Sequence, residues 1–277
     1  MSASLERLFL GGERIDSLPG DARGFAYGDG LFETMRVHRG LVPWWPMHMA
    51  RLVHGGSRLG LALPDPVQLE HQARDLFDDD ADGVLKLVVA RGGGGRGYAP
   101  RPEAPPLWRL ARHSLPEPAR PGGLVVRWCA MRLAVQPALA GLKHCNRLEQ
   151  VLARAEWRDP AIDEGLLLDT DGRLVSATAA NVFVLHGERW STPRVDRCGV
   201  AGTCRAWLLD QAGAIEMDIA PDALQTADAV LLCNAVRGIL QVARLEARTW
   251  APHPSVAALR ARLAHAHPGF AVDQEVA

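Results

Sequence analysis

Lys143 stands at the start of a predicted helix, in a short loop that follows an apolar, strand-like run. Asn146 is a suitable N-cap residue, Glu149 follows three residues later as in a capping box, and apolar residues recur at helical spacing at Leu148, Val151, Leu152 and Ala155. A buried amine in such a loop can form a Schiff base with a carbonyl cofactor. A lone loop lysine is more often a solvated surface charge, so other segments must decide between these interpretations.

A glycine-rich segment with two arginines, Arg91–Tyr98, directly follows the predicted buried strand Val84–Ala90. Glycines let a backbone approach an anionic ligand closely, and Arg96 offers a planar fork for a carboxylate. The segment is not a Walker loop, because no Gly-Lys-Ser/Thr ending follows it. From these residues alone, a flexible hairpin loop remains an equal alternative.

Two further turns and one arginine are candidates for binding an anion. Gly199–Arg205 leads from a glycine turn into a predicted helix, whose N-terminus is suited to phosphate. Leu232–Gly238 ends a buried strand in a polar turn that offers more donors, and Arg51 lies one turn into the helix predicted for His48–Leu61. Taken singly, each has an ordinary structural interpretation, namely a glycine turn, a strand end and a solvent-facing arginine.

The predicted elements around these residues suggest two domains. Asp29 and Gly30 lead into the strand Leu31–Val37, whose alternation puts Phe32, Thr34 and Arg36 on one face. Proline and glycine interrupt both periodicities after His113, which predicts a small N-terminal domain at 1–115, a linker at 116–123 and a larger domain at 124–277. The larger domain has predicted strands near Leu124–Trp128, Glu164–Leu168, Ala180–Leu185 and Ala229–Cys233, and helices after Lys143, after Gly202 and around Val256–His265.

Composition narrows the functional classes. The 277 residues are 48% hydrophobic and 23% charged, and the formal net charge of -1 argues against nucleic-acid or membrane binding as the main function. Five cysteines without paired CxxC spacing predict reduced thiols rather than a zinc site or a disulfide framework. No stretch reaches transmembrane length, and we expect a cytoplasmic protein without a metal site.

The order of these segments resembles that of the fold-type IV pyridoxal-phosphate enzymes. The similarity runs from about Gly11 to Val242 and includes, in order, Gly-Asp-Gly-x-Phe-Glu-Thr, His-x-x-Arg-Leu, Arg-Gly-x-Gly-Gly-Arg-Gly-Tyr, Lys-x-x-Asn-Arg-Leu-x-x-Val-Leu, Ala-Asn-Val-Phe, Gly-Val-x-Gly-x-x-Arg and Cys-Asn-Ala. The resemblance implies an α+β (α/β) chain of two domains, a small α/β N-terminal domain and a larger C-terminal domain with a β-barrel-like sheet. It also implies a homodimer with a small-molecule substrate.

The superfamily holds branched-chain and D-amino-acid aminotransferases and the 4-amino-4-deoxychorismate lyases. Three segments are most similar to the lyase branch, namely Arg91–Tyr98, Lys143–Leu152 and Cys233-Asn234-Ala235. The activity implied is elimination of pyruvate from a dicarboxylate substrate, giving 4-aminobenzoate for folate synthesis. The alternatives are an aminotransferase of the same fold and a catalytically idle cofactor-binding protein.

The resemblance assigns a role to each motif residue. Lys143 would bind pyridoxal 5'-phosphate covalently and move protons, which requires a neutral amine. The cofactor phosphate would be held by the Arg51 side chain and by groups at Val200, Ala201, Asn234 and Ala235. The substrate would contact Phe32, Arg96 and Tyr98, and Thr34 would protonate the departing group.

One position departs from the family pattern. The family carries a glutamate five residues before the asparagine of Asn181-Val182-Phe183, where it keeps the pyridine nitrogen protonated, and this chain has Ser176 there. A serine hydroxyl supplies no negative charge, so the ring should be a weaker electron sink. This favours the lyase over the aminotransferase, because formation of an aromatic product drives the elimination.

Overall fold

A computed structural model of the chain describes residues 5–93, 97–101 and 103–271, so Arg96 lies outside the described residues. The chain divides into two compact units. The first comprises Met1–Leu115 with Leu142–Asn146, and the second comprises Pro116–Gly141 with Arg147–Ala277. The segment that carries Lys143 therefore groups with the first unit, although it follows part of the second in sequence.

The first unit is built on a five-stranded antiparallel sheet in the order β2-β1-β5-β4-β3. Its strands are β1 (Glu6–Leu10), β2 (Glu13–Ile15), β3 (Gly30–Val37), β4 (Gly83–Arg91) and β5 (Pro106–His113). Its helices are α1 (Arg23–Tyr27), α2 (Trp45–Leu59) and α3 (Pro66–Arg74). The strands predicted at Leu31–Val37 and Val84–Ala90 are confirmed, and the predicted helix after His48 begins earlier, at Trp45.

One face of this sheet forms the core of the unit. Leu31, Met35 and Val37 on β3 pack with Leu85, Leu87 and Val89 on β4 and with apolar residues of α2 and α3. Phe32, Thr34 and Arg36 alternate with the buried positions of β3 and are partly exposed. The period of two in the sequence therefore predicted the two faces of β3 correctly.

The second unit is built on a nine-stranded mixed sheet in the order β11-β10-β9-β12-β13-β6-β7-β8, with β14 paired to β13. Its strands are β6 (Leu124–Leu133), β7 (Glu164–Asp169), β8 (Leu174–Ala177), β9 (Asn181–His186), β10 (Arg189–Pro193), β11 (Ile215–Met217), β12 (Ala229–Asn234), β13 (Gly238–Leu245) and β14 (Arg248–Thr249). Its helices are α4 (Leu148–Arg154), α5 (Thr203–Gln211) and α6 (Pro254–Ala266), and short 3₁₀ turns lie at Pro221–Gln225 and Pro268–Phe270.

This second sheet has to curl. Between β8 and β9 in the sheet order lie β7, β6, β13 and β12, which would separate the two strands by roughly 24 Å in a flat sheet. A turn of only Thr178–Ala180 joins β8 to β9 along the chain, and such a link reaches at most about 15 Å. One curled face gathers a single apolar cluster that includes Val126, Leu166, Val182, Val230 and Val242. The predicted barrel-like sheet is thus confirmed as a half-barrel.

The predicted capping box of α4 is wrong. The N-cap of α4 is Arg147, without a side-chain cap, and Asn146 instead donates from Nδ2 to the Gly28 carbonyl at 3.0 Å. Glu149 accepts a hydrogen bond from the Ala134 N–H at 2.8 Å rather than reaching back to the helix start. Both side chains serve partners distant in sequence, which a local capping rule does not take into account.

None of the helices in the described ranges has the length and apolar character needed to cross a membrane. The same ranges contain no group of three or more His, Cys, Asp or Glu side chains arranged to hold a metal ion. All five cysteines are free thiols.

Candidate functional site

The segment that carries Lys143 pairs with the edge of the first sheet. Phe32 donates its backbone N–H to the Lys143 carbonyl at 2.9 Å, and Cys145 donates to the Gly30 carbonyl at 2.9 Å. Leu31 and His144 form the antiparallel bridge between these two bonds. The segment therefore acts as a short additional strand on β3, and backbone hydrogen bonds fix Lys143 beside Phe32.

Lys143, Phe32, Thr34 and Lys86 form a cluster on the outer face of this sheet. The Lys143 Nζ lies 4.2 Å from the centroid of the Phe32 ring, and the Lys86 Nζ lies 3.7 Å from the same centroid. Lys86 is the β4 partner of Thr34 and donates to its Oγ1 at 3.2 Å. The structure thus brings together three residues predicted for the site, Lys143, Phe32 and Thr34.

On the opposite face of β3, a buried carboxylate holds Arg51. Glu33 is 1% exposed and accepts hydrogen bonds from Arg51 Nε at 2.8 Å, from Arg51 Nη2 and from His48 Nδ1 at 2.7 Å. His48 and Arg51 are three residues apart on α2, so both side chains reach Glu33 from one helix face. This two-point contact sets the plane of the Arg51 guanidinium.

The charge states of this group follow from burial and hydrogen bonding. Burial alone raises the pKa of Glu33, but hydrogen bonds from His48 and Arg51 and the charge of Arg51 outweigh it and lower the pKa from 4.5 to about 2. Burial lowers the pKa of His48 below 6.5, against the opposing effect of Glu33. Glu33 is therefore ionised and His48 is neutral near pH 7, and we infer that His48 carries its proton on Nδ1.

The glycine-rich loop is only partly described. Its last residues are held by Arg23, which donates to the carbonyls of Gly97 and Tyr98 at 3.0 Å each and to Asp29 at 2.8 Å. The Tyr98 side chain is 85% exposed, and its ring packs beside Tyr27 at 5.4 Å between centroids. The substrate contact predicted for Tyr98 stays a prediction, and Arg96, predicted for the same role, lies outside the described residues.

In the second unit, hydrogen bonds bring three turns together. Asn181, at the start of β9, donates from Nδ2 to the Val200 carbonyl at 2.9 Å. Asn234, at the end of β12, donates from Nδ2 to the Ala179 carbonyl at 3.2 Å. The segments predicted to bind the cofactor from this unit therefore converge at one end of the sheet.

The start of α5 is suited to an anion. Its N-cap is Gly202, which supplies no side-chain cap, and a Cβ added there would lie 2.0 Å from Asn181 Oδ1. Only glycine lets the backbone come this close to Asn181. The first N–H groups of a helix lack partners within the helix, so a phosphate suits this position by both hydrogen bonding and the helix dipole. The residues present therefore fit a phosphorylated cofactor.

Two predicted phosphate contacts have other partners. The Ala201 N–H donates to the Gly141 carbonyl at 3.0 Å, and the assignment of Ala201 to the phosphate stays a prediction. Asn234 Oδ1 accepts from the N–H groups of Val236 and Arg237 at 3.0 and 2.8 Å, so this side chain shapes its own turn. The assignments of Val200 and Ala235 stay predictions.

Ser176 is 9% exposed and lies in β8 opposite Leu167. A carboxylate does lie at the turn that follows, where Thr178 Oγ1 and the Gly165 N–H both donate to Glu164 Oε1. That carboxylate belongs to β7, and position 176 itself carries a neutral hydroxyl. The departure from the family pattern is therefore a difference in charge, and the role of Ser176 at a ring nitrogen stays a prediction.

Sequence reasoning missed Glu33, His48, Lys86 and Asn181 as residues that shape these groups. A signal existed for Glu33, because alternation places this acid on the buried face of β3, where a charge needs a partner. The spacing of His48 and Arg51 on one helix face supplied that partner. Lys86 gave no such signal, since its contact with Thr34 depends on the register between β3 and β4.

Comparison with known proteins supports one family. The family model for class IV amino-transferases matches residues 30–245. An aminodeoxychorismate lyase of Vibrio harveyi is 32% identical over 233 residues, covering 81% of this chain and 86% of that protein. The crystal structure of a 4-amino-4-deoxychorismate lyase from Pseudomonas aeruginosa is 40% identical, with a TM-score of 0.87, and covers 94% of this chain and 98% of that one. A D-alanine aminotransferase of Bacillus licheniformis is 24% identical over 249 residues, 82% of each chain.

The Glu33 and His48 pair predicts how stability depends on pH. The unfolded chain binds protons near pH 6.5 at His48 and near 4.5 at Glu33, whereas the folded chain binds them only at lower pH. Stability should therefore fall through His48 as the pH drops below 6.5, and also through Glu33 below 4.5, by up to about 1.4 kcal/mol per pH unit for each group. Urea unfolding of the His48→Gln variant should show a flatter dependence between pH 7 and pH 5. The control is His71→Gln on α3, whose side chain is 69% exposed, and equal slopes in both variants would contradict the assignment.

Proposed function

Because the chain belongs to the class IV aminotransferase family, we propose that it is a 4-amino-4-deoxychorismate lyase that uses pyridoxal 5'-phosphate. The observation that carries the proposal is the 40% identity, over nearly the whole of both chains, to the lyase of known structure. A second lyase is 32% identical, whereas the D-alanine aminotransferase is 24% identical.

In this proposal Lys143 holds the cofactor covalently and moves the proton. Bound pyridoxal phosphate supplies an electron sink for the carbon that bears the substrate nitrogen. The Lys143 amine, once the substrate amine has displaced it from the cofactor, would take the proton from that carbon. The C–O bond to the enolpyruvyl group would then break, and the ring would become aromatic. Thr34 gives a proton to the departing group, which leaves as pyruvate. The clustering of Lys143, Phe32 and Thr34 on one face supports these roles.

The phosphate is assigned to Arg51 and to the start of α5. Glu33 holds Arg51 by two of its N–H donors, so the contact with phosphate would use donors that do not face Glu33. The proposed partners of the phosphate in the second unit are Val200, Ala201, Asn234, Ala235 and the first N–H groups of α5. The close packing of Gly202 on Asn181 supports that cradle. Phe32, Arg96 and Tyr98 are proposed to contact the dicarboxylate substrate.

The domain boundaries at 115 and 124 and a cytoplasmic location belong to the same proposal. The free state of all five cysteines supports the location, because thiols stay reduced in the cytoplasm.

An aminotransferase acting on D- or branched-chain amino acids is the second candidate. The similarity to the D-alanine aminotransferase supports it. The neutral side chain at position 176 weighs against it, because transfer of an amino group depends more strongly on a protonated cofactor ring.

The test of the proposed function is a product assay with a chemical map of the cofactor site. Incubation with 4-amino-4-deoxychorismate should give equal amounts of 4-aminobenzoate and pyruvate. Borohydride should fix the cofactor at Lys143, as read by peptide mass spectrometry, and Lys143→Ala should lose both the label and at least about a thousandfold in rate. Product formed only with an amino donor and a keto acid would favour the aminotransferase, and a label at Lys86 would overturn the assignment of Lys143.

Ser176→Glu should shift the balance between the two activities. A carboxylate at the ring nitrogen would keep the ring protonated, so side transamination of amino acids should rise while lyase turnover changes less. Burying the new charge costs stability, which Tm would report. The neutral control is Ser176→Gln, which adds length without charge. A folded Ser176→Glu protein with an unchanged cofactor spectrum would show that position 176 does not face the ring nitrogen.

We also propose that the protein is a homodimer and that α4 contributes to the interface. Leu148, Val151 and Leu152 lie on one face of this helix and are 76%, 60% and 57% exposed. Three large apolar side chains at this spacing favour burial against another surface. The resemblance to dimeric fold-type IV enzymes supports a second copy as that surface.

Val151→Asp tests this interface. The variant should fold normally, since Val151 is exposed in the single chain, but its dimer dissociation constant should rise at least about tenfold because a charge would be buried. Light scattering over a range of concentrations measures this. Val67→Asp on α3, where Val67 is 75% exposed, is the control and should leave the dimer intact. A monomeric unaltered protein at micromolar concentration would remove the proposal.

A further inference from the structure

Two lysines share one aromatic ring in the first unit. Lys143 pairs with the edge of β3, and Lys86 lies on β4, the strand on the other side of β3. Their Nζ atoms lie 4.2 and 3.7 Å from the same Phe32 centroid, so at most about 8 Å separates the two amines. Both backbones are held in register by strand hydrogen bonds, which makes this proximity a property of the sheet.

We infer that Lys86 is a positioning residue for the reaction proposed at Lys143. Its positive charge disfavours a second positive charge on Lys143, which keeps that amine neutral and nucleophilic. The Phe32 ring lies against both amines, and its negative face attracts the Lys86 ammonium, which keeps that charge beside the neutral amine of Lys143. This inference rests on the proposed function only in taking Lys143 as the reacting amine.

Lys86 also orients the hydroxyl proposed to protonate the departing group. Its Nζ donates to Thr34 Oγ1 at 3.2 Å, so the Thr34 oxygen accepts from an ammonium group and its own O–H points elsewhere. A hydroxyl that accepts a charge-assisted hydrogen bond is a better proton donor. One side chain therefore acts on both proposed proton-transfer groups, Lys143 through its charge and Thr34 through a hydrogen bond.

Other charged and titratable groups lie on the elements packed around Lys143 in the same unit. They are Arg36 on β3, Glu33 on the opposite face of β3, His48 and Arg51 on α2, and His144 in the segment itself. Glu33 and Arg51 form an ion pair and offset each other, and His48 is neutral because burial lowers its pKa. Lys86 adds a positive charge to these groups, on the Phe32 ring that Lys143 also contacts.

The experiment measures the reactivity of Lys143 in the cofactor-free, full-length protein. Trace acetylation with acetic anhydride across a pH series, read by peptide mass spectrometry, gives the pH midpoint at which Lys143 becomes reactive. In Lys86→Met this midpoint should move to higher pH, and Lys143 should react about threefold or more slowly at neutral pH. Lys86→Arg keeps the charge and should restore the original profile.

A matched control removes a different charge from the same face. Arg109 lies on β5, beyond β4 as seen from Phe32, and pairs with Glu6. Arg109→Met should leave the Lys143 profile unchanged. If the Lys86→Met profile matches that of the unaltered protein while its Tm shows it folded, the charge effect is absent and the inference is overturned. A shift of equal size in Arg109→Met would also overturn the inference, because the effect would then not depend on the position of Lys86 beside the Phe32 ring.

The link through Thr34 has its own readout. In the product assay, Lys86→Met should lower kcat with little change in KM, because Lys86 is not proposed to contact the substrate. Thr34→Val should also lower kcat, and the double variant should be little worse than either single one. Fully multiplicative losses would overturn the link to Thr34. The acetylation profile uses no substrate, so failure of the lyase assay would leave the effect of Lys86 on Lys143 separately measured.

Discussion

The first unit depends on one set of backbone hydrogen bonds, those joining the segment 142–146 to the edge of β3. These bonds hold residues 142–146 against Gly30, Leu31 and Phe32, although the two segments are distant in sequence. They therefore fix the position of the Lys143 backbone. A lysine side chain has four carbon–carbon torsions, so its amine is positioned only if its backbone is fixed and its stem is confined. The strand pairing fixes the Lys143 backbone, and the Phe32 ring confines the Lys143 side chain.

β3 has a different chemical task on each face. The outward face presents Phe32 and Thr34 beside the two lysines, while the inward face carries Glu33, which holds Arg51 with help from His48. A buried carboxylate is tolerable here because three hydrogen bonds and a cation compensate for its lost hydration. The alternation of β3 thus places Phe32, which contacts Lys143, and Glu33, which holds Arg51, on opposite faces of the strand.

Local sequence patterns predicted much of this arrangement. The period of two in Leu31–Val37 predicted which side chains share a face, and the glycine turn before Thr203 predicted a helix start suited to an anion. The errors arose where partners distant in sequence outweigh local preference. Asn146 binds Gly28 instead of capping α4, and Glu149 binds the Ala134 N–H instead of completing a capping box. The contact of Lys86 with Thr34 could not be predicted for the same reason, since it depends on the register between two strands that are distant in sequence.

The pairing of segment 142–146 with β3 has a second consequence, for solubility. β3 ends the order of its sheet, and an edge strand offers unsatisfied N–H and C=O groups to strands of other chains. By covering Gly30 to Phe32, the segment that carries Lys143 also blocks this edge against aggregation. Substitutions at Leu142–Asn146 therefore affect both the position of Lys143 and the protection of the sheet edge. A variant made to alter reactivity there can self-associate before its chemistry is measured.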